Sequence, residues 1–292
     1  MKDIGFIGLG IMGQHMAANL LKQGLRLYVN DIVPQAVEKI AAMGGIACTQ
    51  EEVAEKSEII ILMLPRGDIS RTVTQNICNH AQAGTMIIDM SSVTAEDSLY
   101  CSSIAQKAGL RFLDAPVSGG EEGARSGNLT IMVGGKAEDF EAAHPLFEFL
   151  GSHCELVGPT GSGSVAKLIN QIIVNLNIAA LSEAFVFGRK AGADLNKVFQ
   201  VIRYGLAGSQ VMEDKAPRMI EHDFRPGGKI SINYKDIHNA KMSAEQLGLD
   251  LPLTNKLFSV LEELMSEGCG SDDHSAIIKY FEKRAGLIEG KE

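Results

Sequence analysis

Gly8-Leu9-Gly10-Ile11-Met12-Gly13 has the spacing G-x-G-x-x-G, set between an apolar run at 4–7 and a stretch of helical periodicity. As a bare pattern it says little; its flanks give it meaning. A second apolar run follows and ends at Asn30-Asp31, with Asp31 eighteen residues past Gly13. In that context Gly8 permits a tight turn and Gly10 lets the backbone approach a pyrophosphate. Gly13 lets the helix pack close to the strand. Free N–H groups at the helix start, around Ile11 and Met12, and the positive end of the helix dipole favour phosphate. Asp31, at the tip of the second run with Asn30, accepts hydrogen bonds from ribose hydroxyls and repels a 2′-phosphate. The next residues, Ile32-Val33-Pro34-Gln35, hold no arginine to neutralise one. NAD is expected over NADP.

Two further groupings carry chemistry. Ser118-Gly119-Gly120 follows the run "DAPV", and two glycines with a serine can present N–H groups and a hydroxyl to a carboxylate. Lys167 precedes Asn170 and Gln171 by three and four residues, so the three share one helix face. A lysine at the head of an apolar helix can lay its stem along the surface or exchange a proton, and spacing alone leaves both open. The seven histidines show no H-x-x-H or H-E-x-x-H spacing, so no metal site is expected. His274 reads as an orienting or interface residue.

Elements must position these groups. Runs at 4–7, 25–29, 59–63, 86–89 and 112–114 read as short buried strands, with helix patterns between most of them, as at 11–23 and 34–43. Such alternation predicts an α/β fold, a Rossmann-type doubly wound, mainly parallel sheet with helices on both faces. Runs at 129–133 and 155–157 extend it. The Gly-, Ser- and Pro-rich "VGPTGSGSVAK" (157–167) marks a boundary, giving a dinucleotide-binding domain at 1–162 and an all-helical domain at 163–292. The second domain is built on one long apolar helix at about 165–188. Asn170, Gln171, Asn175, Asn177 and Glu183 interrupt that helix, which fits a buried core helix rather than a membrane span. A helix apolar on most faces must be covered on most faces, by its own domain, the first domain or another subunit.

The chain of 292 residues is 45% hydrophobic, long enough for two ordinary domains. Its net charge of −9, without a basic block, argues against a nucleic-acid partner. Five widely spaced cysteines without C-x-x-C suit reduced thiols in a cytoplasmic protein. The N-terminal apolar run leads into a helix pattern rather than a cleavage site.

These motifs together resemble the β-hydroxyacid dehydrogenases, over nearly the whole chain. The resemblance rests on "GFIGLGIMG" (5–13), "MLP" (63–65), "DMSS" (89–92) and "DAPVSGGEEGARSGNLTIMVGG" (114–135). It rests also on "GSVAKLINQ" (163–171), "KD" (235–236) and "DHSA" (273–276). It implies an NAD-linked oxidoreductase that interconverts a short 3-hydroxy acid and its semialdehyde. Lys167 is then the general acid, Asn170 orients it or holds a substrate hydroxyl, and Ser118, Gly119, Gly120 and Gln171 meet the substrate. Leu64, Pro65 and Ser92 line the nicotinamide ribose and Lys235 reaches the cofactor. Arg66 stands where relatives commonly carry Asn. Tartronate semialdehyde is the first-choice substrate. Methylmalonate, succinic and hydroxymethylglutarate semialdehydes and sulfolactaldehyde are alternatives. The small carboxylate aside, the expected partner is a second copy, in a homodimer or homotetramer. A non-catalytic dinucleotide-binding module would lack the lysine or the Ser-Gly-Gly turn; both are present.

Overall fold

A computed structural model describes residues 3–288. The chain divides into two compact units, Met1–Lys167 and Leu168–Glu292, and the division falls inside one long helix.

Among the described residues the first unit carries nine strands: β1 (Asp3–Ile7), β2 (Arg26–Asn30), β3 (Ile46–Ala47), β4 (Ile59–Leu62), β5 (Met86–Asp89), β6 (Arg111–Asp114), β7 (Val117–Ser118), β8 (Leu129–Gly134) and β9 (Gly151–Gly158). Helices α1 (Gly13–Lys22), α2 (Pro34–Ala41), α3 (Gln50–Lys56), α4 (Gly67–His80), α5 (Ala95–Lys107), α6 (Gly120–Ser126) and α7 (Ala137–Phe147) connect them. The strand order is β3-β2-β1-β4-β5-β6-β8-β7, with β9 beside β8. Strands β3 to β6 run parallel, as expected, whereas β8 is antiparallel to β6 and β7. The central strands "IIIL" and "MIID" are buried along their whole length, the pattern of parallel strands covered on both faces. Helices α3 and α5 begin at capping boxes, Thr49 with Glu52 and Thr94 with Asp97. The order reverses between β1 and β4, and open α/β sheets bind ligands at the carboxyl ends of strands at such a switch.

Helix α8 (Ser162–Lys190) begins in the first unit and continues through the second. The second unit adds α9 (Leu195–Ile202), α10 (Gln210–Glu221), α11 (Ile230–Gln246), α12 (Pro252–Ser266) and α13 (Ile278–Arg284), with two short 3₁₀ turns before α13. Ile178, Leu181, Phe185 and Val186 of α8 pack into its core with Phe199, Met219, Leu257 and Leu261. One face stays open, where Ile169, Ile173 and Phe187 are exposed.

His274 lies buried in that unit, and its Nδ1 has no hydrogen-bond partner. Burial, helped by the charge of Lys215, holds its imidazole down at about 4. The native state therefore stays neutral at this ring while the unfolded chain takes up a proton below about 6.5. Stability is lost as pH falls from about 6.5 through about 4, by at most about 3 kcal/mol from this group. Denaturant unfolding of wild type and His274→Gln at pH 7 and pH 5 should show a smaller acid loss in the variant. Equal losses would show that the ring is already charged in the fold.

Candidate active site

The loop after β1 explains its three glycines sterically. Gly8 has φ +101°, and a Cβ there would lie 2.3 Å from the Met63 carbonyl oxygen at the end of β4. A Cβ on Gly13 would lie 1.9 Å from the Gly8 carbonyl oxygen. These two glycines close the turn against β4 and seat α1 on it. Gly10 differs, because nothing lies within 4 Å of its Cβ position. Its backbone faces open space, with room for a pyrophosphate against the main chain. Ile11 is exposed and Met12 half-buried as the chain enters α1.

Asp31 follows β2 directly. Its Oδ2 accepts from the Leu9 N–H at 2.5 Å and its Oδ1 from the Val33 N–H at 2.8 Å, so the carboxylate is fixed against the glycine loop. Asn30 instead turns its amide inward, donating to the Cys48 carbonyl at 2.8 Å. Ile32 is 97% exposed, so an arginine there meets no steric obstacle. Two charges about 4 Å apart at a surface interact by about 4 kcal/mol at an effective dielectric near 20, before salt reduces it. A quarter to a half of that gives roughly five- to thirty-fold discrimination. Asp31→Ser with Ile32→Arg should lower the NADH-to-NADPH ratio of kcat/KM by at least that factor. A wild type that already prefers NADPH would overturn the reading of Asp31.

Across the switch point, the Leu64 N–H donates to Ser91 Oγ at 2.8 Å, and the Ser91 N–H donates to Asp89 Oδ1 at 3.0 Å. The turn at Leu64 and Pro65 is thus tied to the buried end of β5, beside half-buried Ser92. Burial raises the Asp89 carboxyl above the usual carboxylate range. Neither Asp89 nor Ser91 stands out in the sequence except as part of "DMSS". Arg66 forms a two-pronged pair with Asp68, both bonds at 2.9 Å, out in solvent.

Ser118 ends β7, and Gly119 (φ +138°) and Gly120 (φ +63°) both adopt the left-handed region that favours glycine. Both glycines are exposed, and the Cβ position of Gly120 meets nothing within 4 Å. This is a turn whose backbone a carboxylate can approach.

Lys167 lies in the second turn of α8 and is 7% exposed. Further along, Asn170 Nδ2 donates to Gln171 Oε1 at 3.0 Å, and Gln171 Nε2 donates to Asp236 Oδ2 at 2.6 Å. Lys235 pairs with the other Asp236 oxygen at 3.1 Å. The amide of Gln171 is therefore engaged at both ends by protein groups, and Asp236 gathers Gln171 and Lys235 onto one carboxylate. Sequence reasoning quoted Asp236 in "KD" without giving it this part; an acidic residue next to a lysine was the only signal.

Residues 3–158 match the NAD binding domain of 6-phosphogluconate dehydrogenase, and residues 161–281 match the NAD-binding domain of NADP-dependent 3-hydroxyisobutyrate dehydrogenase. The chain is 42% identical over 286 residues to 2-hydroxy-3-oxopropionate reductase of Escherichia coli, covering 97% of this chain and 98% of that one. It is 37% identical to 2-(hydroxymethyl)glutarate dehydrogenase of Eubacterium barkeri, covering 97% and 96%. Among solved structures, Mycobacterium tuberculosis 3-hydroxyisobutyrate dehydrogenase with L-serine superposes with a TM-score of 0.90 at 29% identity, covering 96% and 98%. The open backbone at Gly10 and the fixed carboxylate of Asp31 fit the nicotinamide dinucleotide that these matches imply. The chain belongs to the 3-hydroxyisobutyrate dehydrogenase-like β-hydroxyacid dehydrogenases, NAD-dependent enzymes acting on CH–OH.

Proposed function

We propose that this enzyme reduces tartronate semialdehyde to glycerate, and oxidises glycerate in the reverse direction. The observation that carries the substrate is the 42% identity, over nearly the whole of both chains, to 2-hydroxy-3-oxopropionate reductase, which is tartronate semialdehyde reductase by another name. Bound NADH supplies the hydride for the carbonyl carbon. The chain does the rest. Ser118, Gly119 and Gly120 grip the substrate carboxylate with hydroxyl and N–H donors. Lys167 gives its proton to the carbonyl oxygen and takes one back in oxidation. Asn170 orients the substrate hydroxyl, while Gln171 and Asp236 steady Lys235 at the cofactor. Reduced thiols at Cys48, Cys78, Cys101 and Cys154 suit the cytoplasm.

A screen of purified enzyme with NADH tests this. Tartronate semialdehyde should be the best substrate among it, methylmalonate, succinic and hydroxymethylglutarate semialdehydes and sulfolactaldehyde. Glycolaldehyde, which lacks the carboxylate, leaves donors unpaired at about 1–3 kcal/mol each and should be slower by orders of magnitude. Glycolaldehyde reduced equally well would refute the carboxylate grip. A longer semialdehyde preferred would replace only the substrate, and no turnover on any would favour a non-catalytic module.

The same reading includes a homodimer or homotetramer. Ile169, Ile173 and Phe187 form an exposed apolar stripe on one face of α8, about 27 Å long, which a second copy would cover. A monomer at micromolar concentration by light scattering would refute it.

A further inference from the structure

Asp114 ends β6, four residues before Ser118, and its carboxylate is buried. Its Oδ1 accepts from the Gly161 N–H at 2.7 Å and its Oδ2 from the Ser164 N–H at 2.9 Å. Both donors belong to the start of α8, where N–H groups have no partner inside the helix. Backbone contact reinforces the joint. A Cβ on Gly163 would lie 2.4 Å from the Met132 carbonyl oxygen and 2.6 Å from that of Asp114. One on Gly134 would lie 2.5 Å from Asp114 Oδ1 and 2.7 Å from the Gly163 nitrogen. The helix start therefore rests directly on the ends of β6 and β8. Ser98 of α5 holds it from another side, its Oγ 2.8 Å from Ser164 Oγ. Ser164 is one turn before Lys167, on the same helix face.

We propose that Asp114 is a positioning residue for the reaction: its carboxylate clamps the first turn of α8 to β6 and so sets where Lys167 stands relative to the Ser118-Gly119-Gly120 turn. The proposal rests on the reading of Lys167 as the proton donor. Both ends of that relation leave from one residue, since the chain passes from the end of β6 through Ala115 and Pro116 into β7 and Ser118. Burial, with a smaller push from the Asp89 carboxylate beside it on β5, brings the Asp114 carboxyl up to about 6, while the two N–H donors favour its charge. At neutral pH it is ionised, and both oxygens accept.

Asp114→Asn keeps the size but turns one acceptor into a donor facing an N–H. A displacement of about 1 Å at a catalytic group costs up to about 100-fold. The variant should lose about 10- to 100-fold in kcat for semialdehyde reduction, while the Kd for NADH, read by fluorescence, stays within about threefold. In a Lys167→Ala background the same substitution should cost less than about threefold, because the residue acts through the lysine. Equal losses in both backgrounds, or NADH binding weakened in step with kcat, would overturn the proposal. So would an Asp114→Asn kcat within threefold of wild type alongside an inactive Lys167→Ala, which leaves the lysine's role standing. An active Lys167→Ala removes the lysine and the positioning role together. If Asp114→Asn yields no NADH-binding protein, Ser164→Pro removes the N–H that Asp114 accepts together with the hydroxyl that meets Ser98, and Ser98→Ala controls for the second loss. Ser164→Pro should show the same split, and unchanged kcat there would also overturn the proposal.

Discussion

Lys167→Ala should lower kcat for reduction by 10²- to 10⁴-fold, the usual span for loss of a general acid, and leave NADH binding within about threefold. The separation follows from where the residue lies. Its side chain is buried in the second turn of α8, whereas the glycine loop and Asp31 sit at the ends of β1 and β2. Alanine favours helix, so the backbone of α8 is not disturbed. Lys167→Arg should restore little, because a guanidinium keeps its proton throughout the working pH range. Steady-state rates with a fluorescence titration of NADH check both. Activity within threefold of wild type would remove Lys167 from the mechanism.

Gly10→Val should weaken NADH binding by about 10- to 100-fold, or about 1.4–2.8 kcal/mol, with thermal stability unchanged. Nothing in the protein lies within 4 Å of a Cβ at Gly10, so the fold accepts a side chain there. A dinucleotide does not, because the branched side chain occupies the space through which a pyrophosphate reaches the main chain. Gly13→Ala makes the contrast. Its Cβ would meet the Gly8 carbonyl oxygen at 1.9 Å, so that variant should lose stability as well as binding. Calorimetric titration beside a melting curve separates the two. An unchanged Kd in Gly10→Val would show that the phosphates lie elsewhere.

How much of this is legible in the sequence depends on whether a residue acts by its own sterics or through distant partners. The glycine loop is readable because each glycine answers a local demand: a positive φ, a close backbone contact or open space. Strands β4 and β5 are readable because unbroken apolar runs bounded by turns have few other uses. Strands β3 and β7, two residues each, are too short to show a period and are absent from the sequence reading. Strand β9 starts at Gly151, earlier than its apolar stretch suggests, because Ser152 and His153 lie exposed on it. The direction of β8 is not written in composition at all; it follows from its pairing with β6 and β7. Asp89 and Asp114 are hidden for a similar reason. A carboxylate in a motif looks the same whether it meets water or two backbone donors, and only the fold shows Asp114 holding groups 47 and 50 residues away.

The anchors of the first turn of α8 have a consequence for how the protein is made. Ser98, Asp114, Met132 and Gly134 all precede Gly163 and Ser164 in the chain. Synthesis runs from the N-terminus at about 5–20 residues per second, and domains fold largely as units while it proceeds. By the time Gly163 and Ser164 leave the ribosome, these four residues have already emerged. The first turn of α8, one turn before Lys167, can be seated on the sheet before most of the helical unit has been translated. The N–H groups of Gly161 and Ser164 thus find the Asp114 carboxylate during the remaining seconds of synthesis, before the helix they open is complete.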